Sequence, residues 1–186
     1  MSRFVISVLA PDRVGLLRDI TGVVFRNQGN IDQIRQSIVG GFFNLVFLSD
    51  HPDGVVCGKL AGDLQQVLGS SAAVSVLPGT GISATSAVEG EIFVVTTRGP
   101  DKPGTVHAIS SFFVDNGVNI EDWVVGEEQG EILYTARVCI PAGADFRALQ
   151  KAFKERFAEL GLEAGLYHEN IIRATNEIGP IKALTR

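Results

Sequence analysis

The sequence predicts an α+β chain made of two copies of one small βαββαβ module, and three observations predict it. The stretch Ala10-Pro11-Asp12-Arg13-Val14-Gly15-Leu16-Leu17 returns as Gly99-Pro100-Asp101-Lys102-Pro103-Gly104-Thr105-Val106, 89 positions further on. The same displacement pairs Ile20 with Ile109, and Asn30-Ile31 with Asn119-Ile120. In each copy, apolar runs and amphipathic runs follow one another in the same order. A repeat near 90 residues is too long for a solenoid unit and fits a small domain. The expected organisation is a first module over residues 1–79, a linker over 80–90, a second module over 91–170 and a tail over 171–186.

In the first copy, residues 4–9 (FVISVL) are apolar at nearly every position, as in a strand covered on at least one face. Pro11-Asp12-Arg13 is turn chemistry, since Pro fixes φ and Asp bonds its own backbone two residues on. From Gly15, Leu16, Leu17, Ile20, Val23 and Val24 recur at helical spacing. Gln28-Gly29-Asn30 ends that helix, and residues 31–39 alternate as a strand. Gly40-Gly41 is a hairpin signal before the returning strand at 42–49. The segment 50–54 (DHPDG) reads as a turn, with Asp53 placed to cap a second helix. Val56, Leu60, Leu64 and Val67 mark that helix, and residues 73–77 a short last strand.

The linker (GTGISATSAVEG at 79–90) holds small and polar residues with no period. The second copy repeats the order: a strand at 92–97, a helix with stripe Val106, Ile109, Phe112 and Phe113, and a strand at 120–125. Gln129-Gly130 turns a hairpin into residues 131–140. Asp145 caps a helix with stripe Phe146, Leu149, Phe153, Phe157 and Leu160, and Gly161 stops it. Residues 162–167 supply the closing strand. The tail has no clear period. This order gives a four-stranded antiparallel sheet of ferredoxin-like type in each copy, the two modules pairing side by side into one extended sheet.

One face of such a sheet stays open. On the returning strand that face reads Phe42, Asn44, Val46, Leu48 in the first copy and Glu131, Leu133, Thr135, Arg137 in the second. The greasier first face implies a homodimer that buries it.

Composition bounds the function. With 45% hydrophobic and 20% charged residues, the chain is built as a globular protein. No apolar run approaches the roughly 18 residues of a membrane span. The N-terminus enters a strand-like run with no signal-peptide pattern. Cys57 and Cys139 lack metal or redox spacing and read as buried thiols of a reducing compartment, so a cytoplasmic chain is expected. The net charge is −5. The densest basic stretch, 151–156, is interleaved with Phe153 and Glu155, so no basic stripe exists to neutralise phosphates and direct nucleic-acid binding is not expected. His51, His107 and His168 are scattered, Ser110-Ser111 lies on a helix without an elbow motif, and no phosphate loop or dinucleotide fingerprint appears. Glu127-Glu128 precede a hairpin as its solvated end. No catalytic site, metal or cofactor is expected.

The repeated turn has two readings. Structurally, Gly15 and Gly104 allow close backbone approach at a helix start, while Asp12 and Asp101 satisfy local amides. Chemically, each helix N-terminus offers unpaired N–H groups and a positive dipole end to a carboxylate. Asn30 and Asn119 begin the neighbouring strand, where an amide serves an ammonium or a carboxylate equally well. Arg18 and His107 stand one turn into each helix and either assist an anion or simply face solvent.

The pattern strand-x-Pro-Asp-[Arg/Lys]-x-Gly, followed fifteen positions after the Gly by Asn-Ile, resembles the ACT domain, a regulatory module of amino-acid metabolism. Both copies fit, and a stand-alone tandem pair resembles the glycine-cleavage-system transcriptional repressor group. The first copy also resembles the regulatory module of formyltetrahydrofolate deformylase. The resemblance implies a small amino-acid effector held between paired modules and biasing contact with a partner protein, such as a transcription regulator or metabolic enzyme. It also implies the contacts: Ala10, Asp12, Gly15, Asn30 and Ile31 in one copy, and Gly99, Asp101, Gly104, Asn119 and Ile120 in the other. Where the serine-binding pattern of the family has His and Asn in the turn, this chain has Ala10 or Gly99, then Asp12 or Asp101. An Asp there favours the ammonium of an amino acid and repels its carboxylate. A ligand-independent scaffold is the competing expectation.

Overall fold

The computed structural model describes residues 1–79 and 89–172. Most of the expected linker and the tail beyond Ile172 lie outside the described residues. The chain divides into two compact units, Met1–Thr85 and Ser86–Arg186.

The first unit runs β1 (Ser2–Pro11), α1 (Leu16–Arg26), β2 (Asn30–Val39), β3 (Phe42–His51), α2 (Cys57–Leu68) and β4 (Ala73–Pro78). Its sheet is antiparallel at each hydrogen-bonded neighbour and ordered β2-β3-β1-β4. The second unit repeats this with β5 (Gly90–Gly99), α3 (Thr105–Asp115), β6 (Asn119–Glu128), β7 (Glu131–Pro141), α4 (Phe146–Ala158) and β8 (Glu163–His168), ordered β6-β7-β5-β8. β5 begins at Gly90, the last residue of the expected linker, and a helical turn at 169–172 opens the tail.

Strand alternation places every second side chain in the core. Phe4, Ile6, Val8 and Ala10 of β1 and Phe43, Leu45 and Phe47 of β3 are buried under Leu16, Ile20, Val23 and Val24 of α1 and Leu60, Leu64 and Leu68 of α2. Each fully buried Leu or Ile contributes about 1.5–3 kcal/mol. In the second unit, Phe113 and Phe153 stack at 5.3 Å, and Phe153 and Phe157 lie 4.7 Å apart, beneath the same kind of sheet. Both hairpins turn on two residues of positive φ: Gly40 (59°) with Gly41 (80°), and Gln129 (56°) with Gly130 (81°).

Several expectations are corrected: Val106 of the α3 stripe is exposed, and Cys57 is half-buried while Cys139 is buried. The stripe of α2 ends on buried Leu68, while Val56 and Val67 are exposed. Asp53 caps nothing: the N-cap of α2 is Val56, with no side-chain bond, and Asp53 pairs with the terminal ammonium at 2.6 Å. His51 belongs to β3 rather than a turn. It is fully buried, with Nε2 3.0 Å from Ser49 Oγ and Nδ1 3.1 Å from the Asn27 carbonyl. Its polarity is absorbed by the core, which removes it from the candidate chemistry. By contrast, Asp145 does cap α4, accepting from the Ala148 N–H at 3.0 Å. No helix of the described residues is long and apolar enough to cross a membrane.

Candidate functional site

In the first unit the repeated turn leaves β1 through Ala10, which is buried, and Pro11, opposite Phe43 and Phe42. The Asp12 N–H donates to the Gly41 carbonyl at 2.9 Å, docking the turn on the β2–β3 hairpin. Gly15 is the N-cap of α1 at φ 86°, a left-handed conformation that favours glycine, and no side chain caps the helix. The first-turn N–H groups have no intrahelical acceptor, and that of Leu16 donates to the Arg13 carbonyl at 3.3 Å. The Asp12 carboxylate does not reach them. It is exposed, with no hydrogen bond or ion pair among the described residues. The expected local role of Asp12 is therefore not the one it plays.

The charge that settles this turn is Asp19, which the sequence places off the helix stripe with no role in the turn. It accepts from Arg13 at 2.8 Å and Arg18 at 3.0 Å. Those two hydrogen bonds, Arg13's first, hold its carboxyl below the ordinary aspartate value. Arg18 also lies against the turn, since a Cβ on Gly15 would stand 3.6 Å from its Nη2. The signal was available: an acid in the first helical turn flanked by two arginines.

The second turn is held differently. Gly104 is the N-cap of α3 at φ 89°, again without a side-chain cap. Thr105 Oγ1 donates to the Lys102 carbonyl at 2.9 Å, and Lys102 Nζ donates to the Leu160 carbonyl at 2.9 Å, closing the end of α4. Gly99 packs against that same corner, since a Cβ there would stand 2.7 Å from Leu162 Cδ2. Close packing thus explains the glycine at 99. Asp101, like Asp12, is exposed and without a partner among the described residues. His107 is exposed on α3.

Asn30 and Asn119 open β2 and β6, opposite Asp50 and Cys139. Asp50 in turn lies opposite Arg3, at the start of β1, whereas the turn follows the end of that strand. Eight residues of strand, on the order of 25 Å, separate the two ends. Within one module, Asn30 and the turn are not brought together, and neither are Asn119 and its turn. Ile31 and Ile120 pack against the two cores as half-buried residues.

Each module also carries a β-bulge immediately after the Asn-Ile pair, at Asp32 and at Glu121. Each bulged acid meets an arginine: Asp32 with Arg3 at 3.0 Å, and Glu121 with Arg137 at 3.7 Å. Arg3 is also bidentate to Asp50, at 2.8 Å through both nitrogens. That pairing raises the Arg3 guanidinium and lowers the Asp50 carboxyl. Two cavities of the second unit, about 300 and 260 Å³, lie along the β7–α4 connection. None of the expected site residues lines them. Among the described residues, no three His, Cys, Asp or Glu side chains could hold a metal ion.

Comparison with known proteins tracks the repeat. The ACT domain family matches residues 4–55, within the first unit. A UPF0237 protein of Methanococcus maripaludis is 30% identical over 91 residues, 47% of this chain and 99% of that protein. The chain spans about half the length (55%) of the UPF0237 relatives from two Methanosarcina species that it matches. Among solved structures, an unknown protein from Galdieria sulphuraria shares the fold with TM-score 0.73 at 21% identity, over 90% of this chain and 98% of that one. A structure described as a glycine cleavage system transcriptional repressor shares it with TM-score 0.66 at 18% identity, over 89% and 95%. Those two likenesses extend through both units. The chain belongs with the UPF0237 proteins, its first unit carries the ACT domain match, and the ferredoxin-like fold occurs twice.

Proposed function

We propose that this chain is a non-catalytic regulator that binds a small amino acid at its repeated turns and passes the binding on to a partner protein. One observation supports this reading above the others. Both turns present an uncapped helix N-terminus behind a left-handed glycine, and both keep an exposed, unpartnered aspartate beside it. First-turn amides suit a carboxylate, and Asp12 or Asp101 suits an ammonium. Together they complement the two charges of a free amino acid. Ala10, Gly15 and Ile31, with Gly99, Gly104 and Ile120, shape the surroundings. Asn30 and Asn119, remote from the turn of their own module, complete the site from a second copy of the chain. A homodimer is thus part of the proposal. The partner is a transcription regulator or metabolic enzyme of the cytoplasm, by likeness to the repressor structure named above.

The mechanism is differential affinity, because a ligand that bridges two surfaces stabilises the arrangement that forms the bridge. The test is calorimetry and thermal shift on the full chain against the twenty amino acids. At a ligand concentration 100 times Kd, stability should rise by about 2.7 kcal/mol, and Asp12→Ala or Asp101→Ala should diminish the effect. No shift with any amino acid would favour a ligand-independent scaffold. The observation behind that second reading is that Gly99, Lys102 and Arg13 all have structural work within their own modules.

A further inference from the structure

The open face of the first unit's sheet is unlike that of the second. Val5, Leu9, Phe42, Val46, Leu48 and Leu77 project from three adjacent strands, each half-buried or exposed. The pairing registers place Leu48, Val5 and Leu77 in one row across β3, β1 and β4. Val46, Ser7 and Ser75 form the next row. In the second unit, Arg137 stands at the position of Leu48, and Arg98 and Glu131 at those of Leu9 and Phe42, each in an ion pair. Arg98 meets Glu131 at 2.7 Å, and Arg137 meets Glu169 at 3.2 Å.

Charge on the first face is unbalanced in a self-complementary way. Arg35 of β2 stands opposite Val46, so it shares the open face, and it is exposed with no partner among the described residues. Arg3, held by both Asp50 and Asp32, forms a cluster with one carboxylate in excess on the same face. The cluster begins four residues along β3 from Val46, roughly 13 Å away. A lone cation and a net anion on one face cannot neutralise each other across that gap, but two copies can.

We propose that this face is the homodimer interface, with the same face of a second copy as its occupant. The proposal rests on the homodimer reading above. A twofold axis running across the strands, between the Arg35 level and the Asp32 level, brings each Arg35 over the Asp32–Asp50 cluster of the other copy. It places the row Leu48, Val5, Leu77 at the centre of the contact. Four strands spaced about 4.8 Å apart, over some eight residues, present roughly 500 Å² in plan before side-chain relief is counted. That is of the same order as the about 800 Å² per partner of a stable interface.

The experiment is sedimentation equilibrium of the full chain across nanomolar to tens of micromolar, with circular dichroism to verify folding. Wild type should reach twice the chain mass of 19.9 kDa. Leu48→Arg should raise the dimer Kd about 100-fold, as expected for a central contact. Arg35→Glu should weaken the dimer in low salt, and Asp32→Lys added to Arg35→Glu should restore part of the loss. Val124→Arg, on the open face of the second unit, should change nothing. A dimer that persists in folded Leu48→Arg overturns the assignment of this face. If Ile34→Arg or Ile38→Arg dissociates that dimer instead, the outer edge at β2 is the contact and the homodimer reading stands. A wild-type monomer throughout overturns the homodimer reading itself.

Discussion

Gly29 lies directly beneath the ring of His51: a Cβ added to Gly29 would stand 2.2 Å from His51 Cε1. The second unit makes the same helix ending with the sizes exchanged. In α1, Gln28 takes positive φ (53°), and the Gly29 N–H donates to the Val24 carbonyl at 2.9 Å. In α3, Gly117 takes positive φ (66°), and the Val118 N–H donates to the Phe113 carbonyl at 2.9 Å. The repeat sets Val118 against Gly29 and Ile140 against His51. The glycine of the first unit has thus moved from the strained position to the crowded one. Gly29→Ala should cost about 1–3 kcal/mol by overpacking. In a His51→Ile background most of that cost should vanish, a coupling that urea denaturation of the four proteins would measure. Equal costs in both backgrounds would mean that the ring is not the obstacle.

Thr97 is fully buried in β5, and its hydroxyl has no hydrogen-bond partner among the described residues. The repeat places Val8 at the same point of β1. Val has the shape of Thr without the unpaired polar atom. Thr97→Val should therefore stabilise the second unit by about 1 kcal/mol, read as a rise in the denaturation midpoint at unchanged slope. A loss of stability would show that the hydroxyl has a partner in solution.

Much of this fold was legible because repeat, period and turn chemistry agree. Gly40-Gly41 and Gln129-Gly130 turn the two hairpins as their types require, and the alternation of β3 named the open face correctly. What escaped was whatever depends on long-range pairing. His51 read as part of a turn because Pro52 comes next, yet strand pairing carries β3 on to Ser2 and buries the ring. Asp19 read only as a helical residue off the apolar stripe, and only the fold of the turn brings Arg13 onto it. Asn30 stood fifteen residues from Gly15 in sequence, but the helix between them returns the chain to the far end of the sheet.

The two aspartates read as helix caps divide cleanly. Asp145 accepts the Ala148 N–H and satisfies one orphan donor of α4, so Asp145→Ala should cost about 1 kcal/mol. Asp53 is exposed and meets only the terminal ammonium, so Asp53→Ala should change stability by a few tenths at most. Thermal denaturation of the two variants side by side checks the contrast. Comparable losses would place a cap at Asp53 after all.

Acid should act first on the first unit, which holds the three lowered carboxyls of the described residues, Asp19, Asp50 and Asp63. Asp50 is lowered chiefly by the hydrogen bond from Arg3, and Asp63 chiefly by that from Asn27. A carboxyl held low when folded binds fewer protons there than in the unfolded chain. Its stabilisation is complete above the ordinary aspartate value of 3.8 and is lost as pH falls through the lowered one. Arg3→Gln removes the main cause at Asp50. The urea midpoints of wild type and Arg3→Gln should therefore differ most at neutral pH, converge below 3.8, and coincide once both forms are protonated. A gap between them that persists unchanged into strong acid would mean that Arg3 acts through packing of its stem rather than through its charge.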